Sequence, residues 1–137
     1  MSLRDMVSRE VVELPEGEEK LLAFGSIEVN DMARGELVRL TGPVDLDHYG
    51  AFPMELTNPR TGLKARVDGV RFWVTEEDGV KVDKPLNVVS RRLIGQLHGD
   101  LESGAIFSQR YAITSLGTPP KTVYQVRRLP LTLRGQL

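Results

Sequence analysis

The sequence predicts a β-rich, mainly antiparallel fold: a small barrel or strongly bent sheet with one packed α-helix, the alternative being a β-sandwich with a peripheral helix. Three observations predict it. From Lys20 onward, apolar runs of strand length ("KLLAFGSIEV", "GELVRLTG", "AFPMELTN", "LKARVDGVRFWV", "VKVDK") are separated by Gly, Asn, Asp and Pro. Two of the connections carry hairpin chemistry, and one segment has helical periodicity.

Taken in chain order, residues 1–19 are acidic and weakly patterned, with Pro15 and Gly17 marking a turn, and they read as a peripheral arm with a strand at Val11–Leu14. "TNPRTG" at Thr57–Gly62 joins an Asn-Pro step to a glycine able to take positive φ, and "TEEDGV" at Thr75–Val80 sets Asp78-Gly79 between two strand-like runs. Both predict hairpins. Between them, "LKARVDGVRFWV" is long for one strand, and Gly69 in its middle predicts a bulge or bend.

Leu86, Val89, Leu93, Leu97 and Leu101 recur at spacings of three or four and predict a helix with one apolar face, capped by Asn87 and stopped by Gly104. Gly95 and Gly99 weaken that helix by about 1 kcal/mol each relative to alanine, so it depends on docking against the sheet. Beyond it, Ala105–Leu116 and Thr122–Leu129 flank "GTPPK" as a last hairpin. Pairing Leu116 with Thr122 sends Arg110, Thr114, Tyr124 and Arg128 outward and Tyr111 and Ile113 to the core.

Composition narrows the function. The chain has 137 residues, 40% of them hydrophobic, enough for one domain over residues 1–137 without staples. It has no cysteine, which excludes thiol catalysis, disulfides and zinc–thiolate sites. No apolar run approaches the roughly 20 residues of a membrane span, and a cytoplasmic protein with no membrane partner is expected. The phosphate-loop, nucleophile-elbow, dinucleotide and H-E-x-x-H motifs are missing, so a non-catalytic protein without cofactor is expected. "DLDHYG" places Asp45, Asp47 and His48 together, but with no second cluster of metal-ligand types it reads as a solvated turn.

Charge is the strongest functional signal. The net charge of −1 conceals 10 Lys+Arg against 17 Asp+Glu in residues 1–83, and 8 against 2 in residues 84–137. Such asymmetry is either a footprint for a polyanion or a set of partners that neutralise one another within the fold. Cations interleaved with aromatics on a strand pair suit single-stranded nucleic acid, where cations follow phosphates and rings stack on bases. The candidate contacts are Arg71, Arg91, Arg92, Arg110, Lys121, Arg127 and Arg128 for phosphates, and Trp73, Tyr111 and Tyr124 for bases. The competing reading is a structural protein that forms a homo-oligomer, the acidic part of one copy meeting the basic part of the next.

"KPLNVVSRRLIGQL" (Lys84–Leu97) followed by "RYAITSLGTPPKTVYQVRRL" (Arg110–Leu129) resembles, in that order, small replication-associated proteins of phages and plasmids. There a strand leads into a helix and then a hairpin. The resemblance implies an OB-like barrel and a role as a single-stranded-DNA-binding or accessory module. The acidic N-terminal part departs from the acidic C-terminal tail common among bacterial single-strand binders.

Overall fold

The structure is a computed structural model that describes residues 11–58, 61–118 and 121–130. Among these residues eight strands form one connected antiparallel sheet: β1 (Glu19–Asp31), β2 (Glu36–Leu40), β3 (Tyr49–Gly50), β4 (Phe52–Thr57), β5 (Lys64–Glu77), β6 (Val80–Val88), β7 (Gln109–Leu116) and β8 (Val123–Pro130). A helix, α1 (Arg91–Ser103), and a short 3₁₀ turn at Ala105–Phe107 separate β6 from β7. The main path runs β4-β5-β1-β7-β8, with β2 and β3 added to β1 and β6 to β5. Among the described residues the sheet does not close into a barrel; the fold is the expected β-rich, mainly antiparallel one with a single helix.

Two long strands produce the bend by changing partners along their length. β1 pairs with β7 over Glu19–Ala23, with β5 over Leu22–Glu28 and with β2 over Ile27–Asp31, and its ladder to β5 shifts register on either side of Phe24. β5 pairs with β4 up to Gly69 and with β1 from Arg71. Gly69 is where the switch occurs, and a Cβ there would lie 2.6 Å from the Val88 carbonyl oxygen and 2.8 Å from Val89 Cγ1. Only glycine permits that approach, which is why a glycine stands inside the longest strand.

The turns follow their local chemistry. Glu77 pairs with Val80 across Asp78 (φ 51°) and Gly79 (φ 85°), the two positive-φ positions of a type I′ hairpin. β4 and β5 close with Thr57 opposite Lys64; Pro59 and Arg60, within the predicted turn, lie outside the described residues. The N-terminal arm from residue 11 forms no regular strand. It is held by the buried Val12, whose N–H donates to the Pro85 carbonyl at 2.8 Å, and by a bridge from Glu16 to Ser115.

The helix starts later than its apolar spacing predicted. Leu86 and Asn87 belong to β6, Val89 is exposed, and Ser90 is the N-cap, its hydroxyl accepting from Leu93 N–H at 3.2 Å. The buried stripe is Leu93, Leu97 and Leu101. Gly104 ends the helix in the left-handed region at φ 84°, as predicted. The core lies between this stripe and the inner face of the sheet, centred on Phe24, whose ring stands 5.0 Å from Phe72 and 5.5 Å from Tyr111.

Candidate nucleic-acid interface

The β7–β8 register decides which face of the last hairpin meets solvent. Leu116 pairs with Val123, one residue beyond the expected partner Thr122. Because side chains alternate with period two, this slip exchanges the faces of β8. Tyr124, Val126 and Arg128 therefore join Tyr111 and Ile113 on the side facing α1, while Val123, Gln125 and Arg127 share the other side with Arg110 and Thr114. The outward placement expected for Tyr124 and Arg128 is corrected accordingly.

Tyr111 is fully buried, so it is a core residue and no stacking platform. Its hydroxyl donates to Asp100 Oδ2 at 2.6 Å, and Gln109 Nε2 donates to the same hydroxyl at 3.1 Å. Burial first, and then the neighbouring carboxylate, push the phenol well above its ordinary range. Arg128 closes the cluster: Nε donates to Asp100 Oδ2 at 2.7 Å and Nη2 to the Gln96 carbonyl at 2.8 Å. Burial acts to raise the Asp100 carboxyl, but hydrogen bonds from Tyr111 and Arg128, together with the guanidinium charge, hold it below the usual carboxylate range.

Three further nominated arginines are also paired within the chain. Arg71 Nη1 lies 2.8 Å from Glu28 Oε1, and its Nε donates to Asn87 Oδ1 at 2.9 Å. Arg110 Nη2 donates to Glu76 Oε2 at 3.2 Å, while its Nε lies 3.0 Å from Oε1 at an angle too poor for a hydrogen bond. Arg127 meets Glu19 through two nitrogens, at 2.9 and 3.2 Å. Glu19 and Glu76 come from the acidic part of the chain and meet Arg127 and Arg110 of the basic part, so some of the charge asymmetry is met by pairing inside the fold. The sequence carried no signal for these partners because each is more than thirty residues away.

Trp73 is half-buried on the outer face of the sheet, in register with Ser26 on one side and Pro85 on the other. Arg39, which sequence reasoning did not nominate, places its guanidinium 4.4 Å from the Trp73 ring centroid and is steadied by a 2.7 Å hydrogen bond from Nε to Ser26 Oγ. A cation already occupies this aromatic surface. Only the β1–β2 register brings Arg39 there.

The remaining nominated cations are Arg91, Arg92 and Lys121. All three are exposed, and none has a carboxylate partner among the described residues. Arg91 and Arg92 open α1, while Lys121 stands at the tip of the β7–β8 hairpin. Arg92 Nη1 donates to the Thr122 carbonyl at 3.1 Å, which fastens the first helical turn to that tip. Further along, Gln96 Nε2 donates to the Tyr124 carbonyl at 2.8 Å, so α1 lies along β8.

At "DLDHYG", His48 Nε2 approaches Asp31 Oδ1 at 3.2 Å, and the Asp45 side chain accepts from the Asp47 backbone N–H at 3.0 Å. No group of three or more metal-ligand side chains gathers among the described residues. No described helix is long and apolar enough to cross a membrane. Comparison with protein-family models, with curated proteins and with solved structures gives no match for this chain.

Proposed function

We propose that this chain is a non-catalytic module that binds single-stranded nucleic acid at the end formed by the first turn of α1 and the β7–β8 tip. Arg91, Arg92 and Lys121 are the phosphate contacts. The observation that supports the reading is the Arg92–Thr122 hydrogen bond, which joins the helical turn carrying Arg91 and Arg92 to the hairpin tip carrying Lys121, none of the three having an ion-pair partner among the described residues. Arg71, Arg110, Arg127 and Arg128 act as structural cations, because moving them onto phosphates would break ion pairs already formed.

Recognition of this kind rests on charge and reads little sequence. Head-to-tail self-association would have to do without Glu19 and Glu76, which are paired internally with Arg127 and Arg110. The test is fluorescence anisotropy of a labelled single strand against the wild type and the triple variant Arg91→Ala/Arg92→Ala/Lys121→Ala. With three phosphate contacts, the slope of log affinity against log salt is about −2 for the wild type, and the variant loses most of it. Equal affinity and slope in the two proteins would remove the assignment.

A further inference from the structure

A cleft of about 470 Å³ opens between α1 and the bend of the sheet, on the side of the helix away from β8. This is the size at which small organic ligands are held. Its floor is apolar, formed by Ile27, Val29, Val44 and Leu101, all buried, and its mouth carries two charged residues of opposite sign, Asp68 and Arg91.

The fold places these two charges on the same rim. The β5–β6 ladder begins at Val70 opposite Val88, so Asp68 stands just before it on β5 and Arg91 just after it at the start of α1, and both line the cleft. The missing side chain of Gly69 allows this approach, since a Cβ there would lie 2.8 Å from Val89 Cγ1. Even so, Asp68 and Arg91 form no ion pair with each other, and neither has a hydrogen-bond or ion-pair partner among the described residues. Gly95, facing the cleft from α1, has nothing within 4 Å of where its Cβ would stand, so the helix leaves this space open.

We propose that the cleft binds a large apolar α-amino acid, with its side chain on the aliphatic floor, its carboxylate on Arg91 and its ammonium on Asp68. Charge complementarity selects this class. A simple organic anion would satisfy Arg91 but be repelled by Asp68, and a simple amine would meet the reverse. A zwitterion with a bulky apolar group answers all three features at once. The site shares Arg91 with the nucleic-acid surface, while its floor and Asp68 belong to the cleft alone.

The test is calorimetric titration of the full chain with L-phenylalanine, with 3-phenylpropanoate, which lacks the amine, and with 2-phenylethylamine, which lacks the carboxylate. L-Phenylalanine binds about ten-fold or more tightly than either, because each analogue leaves one charged partner unmet. Asp68→Asn reduces phenylalanine to the affinity of 3-phenylpropanoate. Gly95→Leu fills the cleft from a helical position with room for the side chain and abolishes binding. Both variants keep Arg91, Arg92 and Lys121, and single-strand anisotropy on them reports separately on the other surface. Binding of 3-phenylpropanoate as tight as that of phenylalanine, no heat from any of the three ligands, or binding that survives Gly95→Leu would each overturn the proposal.

Discussion

Arg128 Nε sits 2.7 Å from Asp100 Oδ2, joining the last strand to the penultimate turn of the helix through the one carboxylate that also receives the buried Tyr111 hydroxyl. The pair makes Arg128 a fastener of α1 to β8. Arg128→Ala therefore lowers stability by about 1 kcal/mol, a modest cost because the arginine is 40% exposed. It leaves single-strand affinity nearly unchanged. Urea unfolding and anisotropy on the same preparation check both halves of this expectation.

The same cluster sets a pH dependence with two limbs. Asp100 is depressed from its ordinary 3.8, so its contribution to stability is present above that value and is lost as pH falls through the folded-state pKa. Tyr111 is raised from 10.0, so its contribution is complete below pH 10.0 and declines as pH rises beyond it. Tyr111→Phe flattens the alkaline limb, and Asp100→Asn flattens the acid limb. Unfolding free energies measured across both ranges give the signs directly.

Gly69→Ala tests the bend. The new methyl group meets a backbone oxygen at 2.6 Å, which no side-chain rotation relieves, and the expected cost is about 1–3 kcal/mol. Thermal unfolding of the variant reads it. A cost near zero would mean that β5 and β6 separate freely at this point.

The helical glycines give the opposite sign. Gly95 and Gly99 have open space where a Cβ would stand, and Gly95→Ala and Gly99→Ala each raise stability by about 0.5–1 kcal/mol through helix propensity and a less free unfolded chain. Denaturant midpoints shift upward for both.

Arg39→Ala uncovers the only tryptophan. Its emission shifts to the red, and stability falls by about 0.5–1 kcal/mol as the stacked cation is lost. Steady-state fluorescence decides whether the guanidinium covers the ring in solution.

Features set by neighbouring residues were legible in the sequence. The Asp78-Gly79 turn, the Gly104 stop and the Leu93, Leu97 and Leu101 part of the helix stripe each depend on local conformational preference or short-range periodicity. The N-cap was displaced from Asn87 to Ser90 because Leu86 and Asn87 continue the ladder opposite Phe72 and Arg71, a tertiary pairing that overrides local spacing. The β7–β8 register escaped by one residue, and that one step reassigned Tyr124 and Arg128. At the candidate interface, sequence located the cations but could not show which were neutralised, since the partners of Arg71, Arg110 and Arg127 come from β1 and β5.

The sharing of β1 among several strands bears on how the chain reaches this state. Glu19 pairs with Thr114, Leu22 with Glu77 and Asp31 with Glu36, so the central strand is complete only after segments from nearly the whole sequence have arrived. Each distant pairing closes a large loop before its contacts repay the lost entropy. Such topology belongs with folding times of milliseconds to seconds. Through that interval the apolar alternation of β1 stands unpaired, which makes the wait for β7 the period in which this protein is most exposed to aggregation.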